Sequence, residues 1–434
     1  MNKQLQNYKN QFRGYDIRGV YPTGVNEELA RLIGHIFSRV GKRVVVGHDV
    51  REGSKRIADA FSHAAVRSGC RVTTIGEVPN PVCMYYALHH NMHGVYITAS
   101  HNPKAYNGIK IITPQGVTDT HALALLEKHL GEQKMGSGSL KKDVHAIEEY
   151  LRFVLKQFEY LPVKVAVDCM HGMAGTIIEH FAKRSGMRIT LLNQEPRADF
   201  GGKTPEPTPE SVHDLAKTVV EEHCDFGVAF DGDVDRALFV DNRGKPIRGD
   251  RMGVILAKKL FRQNRVAATI NCSNAIKSLK KVTITPIGRP HLERLIAQKK
   301  ARFAFELSSH FYFATHYPFS DGFLAMLYTA KLAQKTTLSK ERLKLPLYYD
   351  LHETYRYASY EEMQDAFEEL RAQYQKKYAR TNTLDGIRVD TKTSWILLRP
   401  SNTEPVIRLT IEAKTYARAQ RLLHAFNEIR KKLQ

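Results

Sequence analysis

Residues 94–110 read GVYITASHNPKAYNGIK. Gly94 through Ala99 form a run rich in apolar and β-branched residues that stops at Ser100, so the pattern predicts a buried strand. That strand feeds Ser100, His101, Asn102 and Pro103 into a polar loop. A hydroxyl at the end of a core strand packs poorly but is well presented at the mouth of a cleft. Open α/β sheets place their chemistry on loops at the carboxyl ends of parallel strands. Around this stretch strands are predicted at 43–47, 72–75 and 109–112, and helices at 56–68, 82–89 and 121–129. Such alternation makes a sheet covered by helices.

The pattern recurs along the chain. Met135-Gly136-Ser137-Gly138-Ser139 has the composition of a flexible linker. Beyond it come helix 147–158, strand 163–168, helix 174–185, strand 189–192, a proline-rich loop at 204–209, helix 210–221 and a strand at 226–230 that ends at Asp231. A third unit has helix 251–261, strands 268–270 and 282–284, helix 289–298, a strand at 303–305 that ends at Glu306, and helix 321–333. The last stretch differs, with strands at 386–389, 395–398 and 406–411 and one amphipathic helix at 417–433. The expected fold class is therefore α/β. Three consecutive mixed-sheet α/β domains of similar architecture (1–137, 138–243 and 244–346) precede a smaller C-terminal α+β domain (347–434).

A chain of 434 residues is too long for one simple core, which fits several domains. Hydrophobic residues at 42% and charged residues at 25% mark a soluble globular protein. No segment has the length and apolarity of a membrane span, and MNKQLQNYKNQFRG lacks a signal-peptide core, so a cytoplasmic location is expected. The five cysteines are scattered and form no CxxC pair, which argues against a disulfide framework or a structural zinc site. A net charge of +20 speeds the encounter with anionic substrates. Its lysines and arginines are spread along the whole chain, without a zinc finger or an RNP-type strand, so specific nucleic-acid binding is the minor reading.

Three further loops carry chemistry. Asp231-Gly232-Asp233-Val234-Asp235-Arg236 brings three carboxylates into one turn, where their repulsion calls for a cation. Oxygen ligands of this kind suit Mg²⁺. An EF-hand fails, because Arg236 and Asn242 occupy the positions that need glycine and glutamate. Arg236 adds a fixed positive charge for a phosphate. Glu306-Leu307-Ser308-Ser309-His310 offers a carboxylate and a hydroxyl to adjacent sugar hydroxyls. Arg399-Pro400-Ser401-Asn402-Thr403-Glu404-Pro405 combines an arginine, two hydroxyls, an amide and backbone N–H groups in a phosphate cradle. There is no GxxxxGK[ST] loop, no GxGxxG after a strand and no G-x-S-x-G elbow.

Taken together, these loops resemble the α-D-phosphohexomutase superfamily, in its phosphomannomutase/phosphoglucomutase branch. TASHNP at 98–103 is similar to the family's phosphoserine loop and DGDVDR at 231–236 to its metal loop. Residues 306–310 resemble its sugar-specificity loop, and RPSNTEP at 399–405 its phosphate loop. FRGYDIRG at 12–19 matches the branch's opening, and VGHD at 46–49, YNGIK at 106–110 and VDCMHG at 167–172 are weaker matches. The motifs stand in family order from residue 12 to residue 408. Three departures stand out: Phe305 and Ser309 replace the usual glycines of the sugar loop, Gly288-Arg289 replaces a common Gly-His, and His171 replaces an asparagine.

The resemblance implies a reversible 1,6-phosphoryl exchange on a hexose phosphate, mannose or glucose. Ser100 would carry the phosphoryl group, and Mg²⁺ would bind Asp231, Asp233, Asp235 and a phosphoserine oxygen. Hexose 1,6-bisphosphate would be intermediate and activator. Arg236, Arg289, Glu306, Ser308, Arg399, Ser401, Asn402 and Thr403 would bind substrate, and Lys110, Arg18, His101 and His310 are candidates to handle the proton. A central cleft between the domains follows, with a hinge near 348–353. So do sugar-phosphate partners and a monomer or dimer. Two rivals are phosphoglucosamine mutase and a basic, catalytically silent mutase-like binding protein. The YDIRG start and Leu307, where glucosamine enzymes usually carry glutamine, favour unsubstituted hexoses.

Overall fold

The computed structural model describes residues 3–261, 265–401 and 405–431. Among the described residues the strands form four sheets. The first contains β1 (Ile17–Val20), β2 (Arg43–His48), β3 (Arg71–Glu77), β4 (His93–Ile97), β5 (Tyr106–Ile112) and β6 (Ser139–Lys142), in the order β1-β5-β4-β2-β3-β6. Strands β4, β2, β3 and β6 run parallel, while β5 returns antiparallel to β4 and β1 lies antiparallel to β5.

The second sheet has β7 (Lys164–Asp168), β8 (Arg188–Leu192), β9 (Phe226–Phe230), β10 (Ala237–Asp241) and β11 (Pro246–Ile247), ordered β11-β10-β9-β7-β8. The third has β12 (Val266–Thr269), β13 (Val282–Thr285), β14 (Phe303–Phe305) and β15 (Phe311–Phe313), ordered β13-β12-β14-β15. Both are parallel until an antiparallel return at β10 and at β15. The fourth, β16 (Tyr349–Arg356), β17 (Ile387–Asp390), β18 (Ser394–Pro400) and β19 (Val406–Ala413), is antiparallel throughout. The molecule is thus three mixed-sheet α/β units followed by a distinct C-terminal one.

The functional loops share one place in this plan. In each of the first three units the loop closes the hairpin from the last parallel strand to its antiparallel neighbour: β4 to β5, β9 to β10 and β14 to β15. The fourth motif begins at Arg399, on the last two residues of β18, and Ser401 follows directly after that strand. A hairpin tip is held by the sheet at both ends, so its polar groups are well placed. Each of the first three tips also carries a non-glycine residue in the left-handed region: Ser100 at φ 53°, Val234 at φ 71° and Ser309 at φ 67°. Such positions cost about 1–3 kcal/mol and persist where the surroundings over-determine them. Ser309 therefore takes the backbone that a glycine adopts readily. Gly249 makes room for it, since a Cβ there would come within 2.5 Å of the Ser309 nitrogen.

One apolar core runs through the first three units, including Tyr96, Val165, Phe230, Phe305 and Phe323. The fourth unit has its own core around Phe367, Leu398 and Phe426. It meets the third through Ile270, Trp395 and Leu397. All five cysteines are buried and unpaired. No described helix is long and apolar enough to cross a membrane.

The structure bears on the sequence reading at three places. Residues 135–139 are not a loose linker: Gly136 N donates to Arg67 O, and β6 then pairs with β3, so the first sheet continues past residue 137. Ser-Leu-Lys-Lys is exposed at every position and has no apolar period to betray a strand. The expected hinge at 348–353 falls largely within β16, which pairs with β19 over eight residues, and its Asp350 pairs with Arg248 at 2.7 Å. An unanticipated helix, Tyr360–Lys377, is capped by Ser359 and buries Met363, Phe367, Leu370 and Tyr374.

Candidate active site

The Ser100 hydroxyl is buried and donates to Asp231 Oδ2 at 2.8 Å, joining the first unit to the second. His101 Nδ1 lies 3.4 Å from Ser100 Oγ. Asp231, Asp233 and Asp235 are all buried, and each offers an oxygen within 4.8 Å of the others. Burial and the neighbouring carboxylates push Asp231 up. Burial opposes ionisation of Asp235 as well, but Lys110 and His310 hold it well below the usual carboxylate range.

Lys110 reaches in from β5. Its Nζ donates to Asp233 Oδ2 at 2.6 Å and to Asp235 Oδ2 at 2.7 Å. Asn80 Nδ2 adds a bond to Asp235 at 3.3 Å. The Oδ1 atom of Asp233 is buried without a hydrogen-bond partner among the described residues. Orphaned carboxylate oxygen within an all-oxygen cluster fits a hard divalent cation.

The third loop is laced to this site. His310 Nδ1 lies 2.7 Å from Glu306 Oε2 and its Nε2 3.2 Å from Asp235 Oδ1. Burial opposes its charge, yet these two carboxylates raise His310 to about 9. Ser308 Oγ donates to Glu306 Oε2 at 3.1 Å, and Glu306 Oε1 is buried and unpartnered among the described residues. That oxygen can accept from a sugar hydroxyl.

Around the serine stand cations. Arg236 Nη2 donates to His101 Nδ1 at 2.9 Å and Nη1 to Glu206 at 2.9 Å. Burial, then Arg236 and Arg18, push the His101 imidazolium far down, so this imidazole is neutral. Arg18 is held by Asp16 at 2.6 Å and by Asn102 at 2.7 Å. Arg289, at the start of helix Arg289–Ala297, lies 3.9 Å from Asp235 and leaves a buried Nη2 unpartnered among the described residues. Such a donor suits a phosphate oxygen.

A cavity of about 620 Å³ opens beside the serine loop, at His101 and Asn102, between the first unit and the fourth. Arg13, Arg18, His101, Arg399, Ser401 and Arg408 line it. Arg399 is fixed by Asp385 at 2.9 Å. Ser401 is buried, while the expected phosphate-binding residues Asn402 and Thr403 lie outside the described residues. Sequence reasoning missed Arg13 and Arg408 as cavity residues. The register of the last hairpin held the signal, since Arg408 is the direct partner of Arg399 across β18 and β19.

Comparison with known proteins fits this geometry. Four family models match in succession: phosphoglucomutase/phosphomannomutase alpha/beta/alpha domains I, II and III at residues 9–133, 144–244 and 248–348, and the C-terminal domain at 358–429. The chain belongs to the phosphoglucomutase/phosphomannomutase family. A probable phosphoglucosamine mutase of Methanocella arvoryzae is 33% identical over 423 residues, covering 95% of each chain. A phosphomannomutase of Methanocaldococcus jannaschii is 29% identical over 431 residues, covering 93% of each. Among solved structures, a phosphoglucomutase/phosphomannomutase family protein from Burkholderia thailandensis superposes with a TM-score of 0.87 at 25% identity, covering 98% of this chain and 97% of that one. The phosphoglucomutase/phosphomannomutase family is a family of mutases, and the chain is an enzyme of that class.

Proposed function

We propose that the chain interconverts hexose 1-phosphate and hexose 6-phosphate, with mannose or glucose as the sugar, through a phosphorylated Ser100 and a hexose 1,6-bisphosphate. The observation that carries this reading is the 2.8 Å bond from Ser100 Oγ to Asp231 of a buried carboxylate cluster, on a loop whose next residues, His101 and Asn102, line an arginine-rich cavity. A serine there can be loaded with a phosphoryl group and unloaded into a bound sugar. Asp231, Asp233 and Asp235, with an oxygen of phosphorylated Ser100, would hold Mg²⁺, which when bound neutralises charge on the transferring group.

The chain's own groups divide the remaining work. Arg399, Ser401 and Arg408 line the same cavity as His101 and Asn102 and hold the phosphate that is not reacting, a role the sequence also gives Asn402 and Thr403. Glu306 and Ser308 hold sugar hydroxyls. Arg236 and Arg289 contact the transferring phosphoryl oxygens. Of the four proton-handling candidates, Lys110 and Arg18 are tied down by carboxylates and His310 is clamped between two. His101 is the one beside Ser100 Oγ, but its Nδ1 already accepts from Arg236 and its imidazolium is disfavoured, so we assign it the positioning of the phosphoryl group rather than the proton of the attacking hydroxyl. In-line transfer needs this kind of fixed positioning more than covalent help. The cation-rich cleft, buried thiols and lack of a described membrane-crossing helix fit an enzyme of small anionic metabolites in the cytoplasm.

A second reading, a phosphoglucosamine mutase, is favoured by the 33% identical relative of that name. Coupled assays with mannose 1-phosphate, glucose 1-phosphate and glucosamine 1-phosphate, run side by side with Mg²⁺ and a trace of the bisphosphate, separate the two. Turnover highest on an unsubstituted hexose supports the first reading, and preference for the amino sugar replaces it with the second. No turnover on any of the three contradicts both.

A further inference from the structure

Arg51 takes no part in the chemistry above and does not line the cavity, yet it is the most heavily engaged side chain beneath Ser100. It is fully buried. Its Nη1 donates to the carbonyls of Pro103 at 2.9 Å and Tyr106 at 3.1 Å, and its Nη2 to those of Ser100 at 2.6 Å and Asn102 at 2.7 Å. One guanidinium therefore holds four carbonyls of the single loop that presents the serine. Only a planar fork of donors can do this; the three donors of a lysine on one nitrogen cannot span the same set.

The other side of the Ser100 peptide is held as well. Ser100 N donates to Thr98 Oγ1 at 2.8 Å, and that hydroxyl donates to Asp49 Oδ2 at 2.6 Å. Asp49 is in turn fixed by Ser54 Oγ at 2.6 Å and by its ion pair with Arg51 at 3.2 Å. The N–H and C=O of Ser100 are thus tied to one buried Arg–Asp pair, which accounts for how a serine keeps φ at 53°. The guanidinium also lies 4.8 Å from the ring centre of Phe200, in the second unit. Next to it Gly232 of the metal loop presses on the serine loop: a Cβ there would come within 2.7 Å of Ser100 O. Arg51 therefore sits where the two loops meet.

We propose that Arg51, acting with Asp49 and Thr98, is the positioning residue of the phosphoryl-carrying serine, setting the direction of Ser100 Oγ toward the carboxylate cluster. The proposal rests on the reading of Ser100 as that carrier. A misplacement of about 1 Å at a reacting atom can cost on the order of a hundredfold in rate.

The test uses the full-length enzyme, Arg51→Lys, Thr98→Val and a Ser100→Ala blank. Melting and folded fraction are measured first. Phosphate uptake at Ser100 from a hexose 1,6-bisphosphate is then followed by peptide mass, beside kcat and KM. Arg51→Lys is expected to slow phosphorylation and kcat together by about ten- to a hundredfold per folded molecule, with KM changed less than about threefold. Thr98→Val is expected to move in the same direction by a smaller factor, and it decides the matter if Arg51→Lys does not fold. Wild-type phosphorylation rates in the folded variants, or losses that follow only the folded fraction, overturn the proposal. A wild type that takes up phosphate on a residue other than Ser100, or on none, overturns the carrier reading itself, and this inference falls with it.

Discussion

The ammonium of Lys110 lies 2.6 Å from Asp233 Oδ2, so a side chain of the first sheet is buried among the carboxylates of the second, 123 positions away. Both side chains are essentially inaccessible, at 1% and 0% exposure. Removing one partner of such a pair leaves charge uncompensated and costs about 3–5 kcal/mol. Lys110→Met is expected to lower stability toward urea by about that amount. Added Mg²⁺ should raise its melting temperature more than that of the wild type, because the carboxylates then lack their internal cation. Equal stability of the two proteins contradicts this role.

Asp233 offers an orphaned oxygen to the cation. Asp233→Asn is expected to weaken Mn²⁺ binding, followed by electron paramagnetic resonance, by about tenfold or more, since a neutral amide oxygen replaces a charged ligand. Unchanged Mn²⁺ affinity would remove Asp233 from the ligand set.

Trp395 is the only tryptophan, and it is buried between the third and fourth units. Its Nε1 donates to Glu412 Oε1 at 2.8 Å, the same oxygen that accepts from Asn274 N at 2.8 Å. Arg388 stacks on its ring at 4.1 Å. Glu412→Ala strands two buried donors, at about 1–3 kcal/mol each. Its expected signature is a red-shifted tryptophan emission as the last unit loosens. Emission identical to wild type would mean that the interface does not depend on this carboxylate.

Asp321 caps helix Gly322–Ala333 through Leu324 N at 3.0 Å and accepts from Tyr150 at 2.8 Å and from Tyr317. Burial raises it to about 6, against the pull of these donors. The folded state then binds more protons than the unfolded one between the ordinary carboxyl range near 4 and about pH 6. Stability from this group is therefore greatest below that window and is lost as pH rises through it, by about 3 kcal/mol in all. Urea titrations of wild type and Asp321→Asn at pH 4.5 to 7 check the sign. The difference between them should shift in favour of the asparagine variant as pH rises, and a flat or opposite difference contradicts the assignment.

Much of the fold was legible because each unit repeats a local signal, an apolar strand that ends on a polar residue. Ser100, Asp231 and Glu306 all stand at such ends, and the structure places them on three equivalent hairpin tips. What stayed hidden depends on pairing across distance. Nothing near Lys110 indicates that it will meet Asp233 and Asp235, and backbone carbonyls, which are what Arg51 holds, carry no sequence signature. Strand β6 and the helix Tyr360–Lys377 escaped because charged residues blur their periodicity. The alternation of polar and apolar residues in Tyr349–Arg356 belongs to a half-exposed strand at the edge of its sheet.

The most direct test of Ser100 as the phosphoryl carrier is a single-turnover transfer. Enzyme phosphorylated with radiolabelled hexose 1,6-bisphosphate is freed of sugar, its label is located by peptide mapping, and it is mixed with excess hexose 1-phosphate and Mg²⁺. Label on the peptide holding residues 98–103, chased into sugar bisphosphate, is the expected result, together with a Ser100→Ala variant that takes no label and turns over about a thousandfold or more slowly. Label on another residue, or a Ser100→Ala enzyme with near-normal turnover, would contradict it.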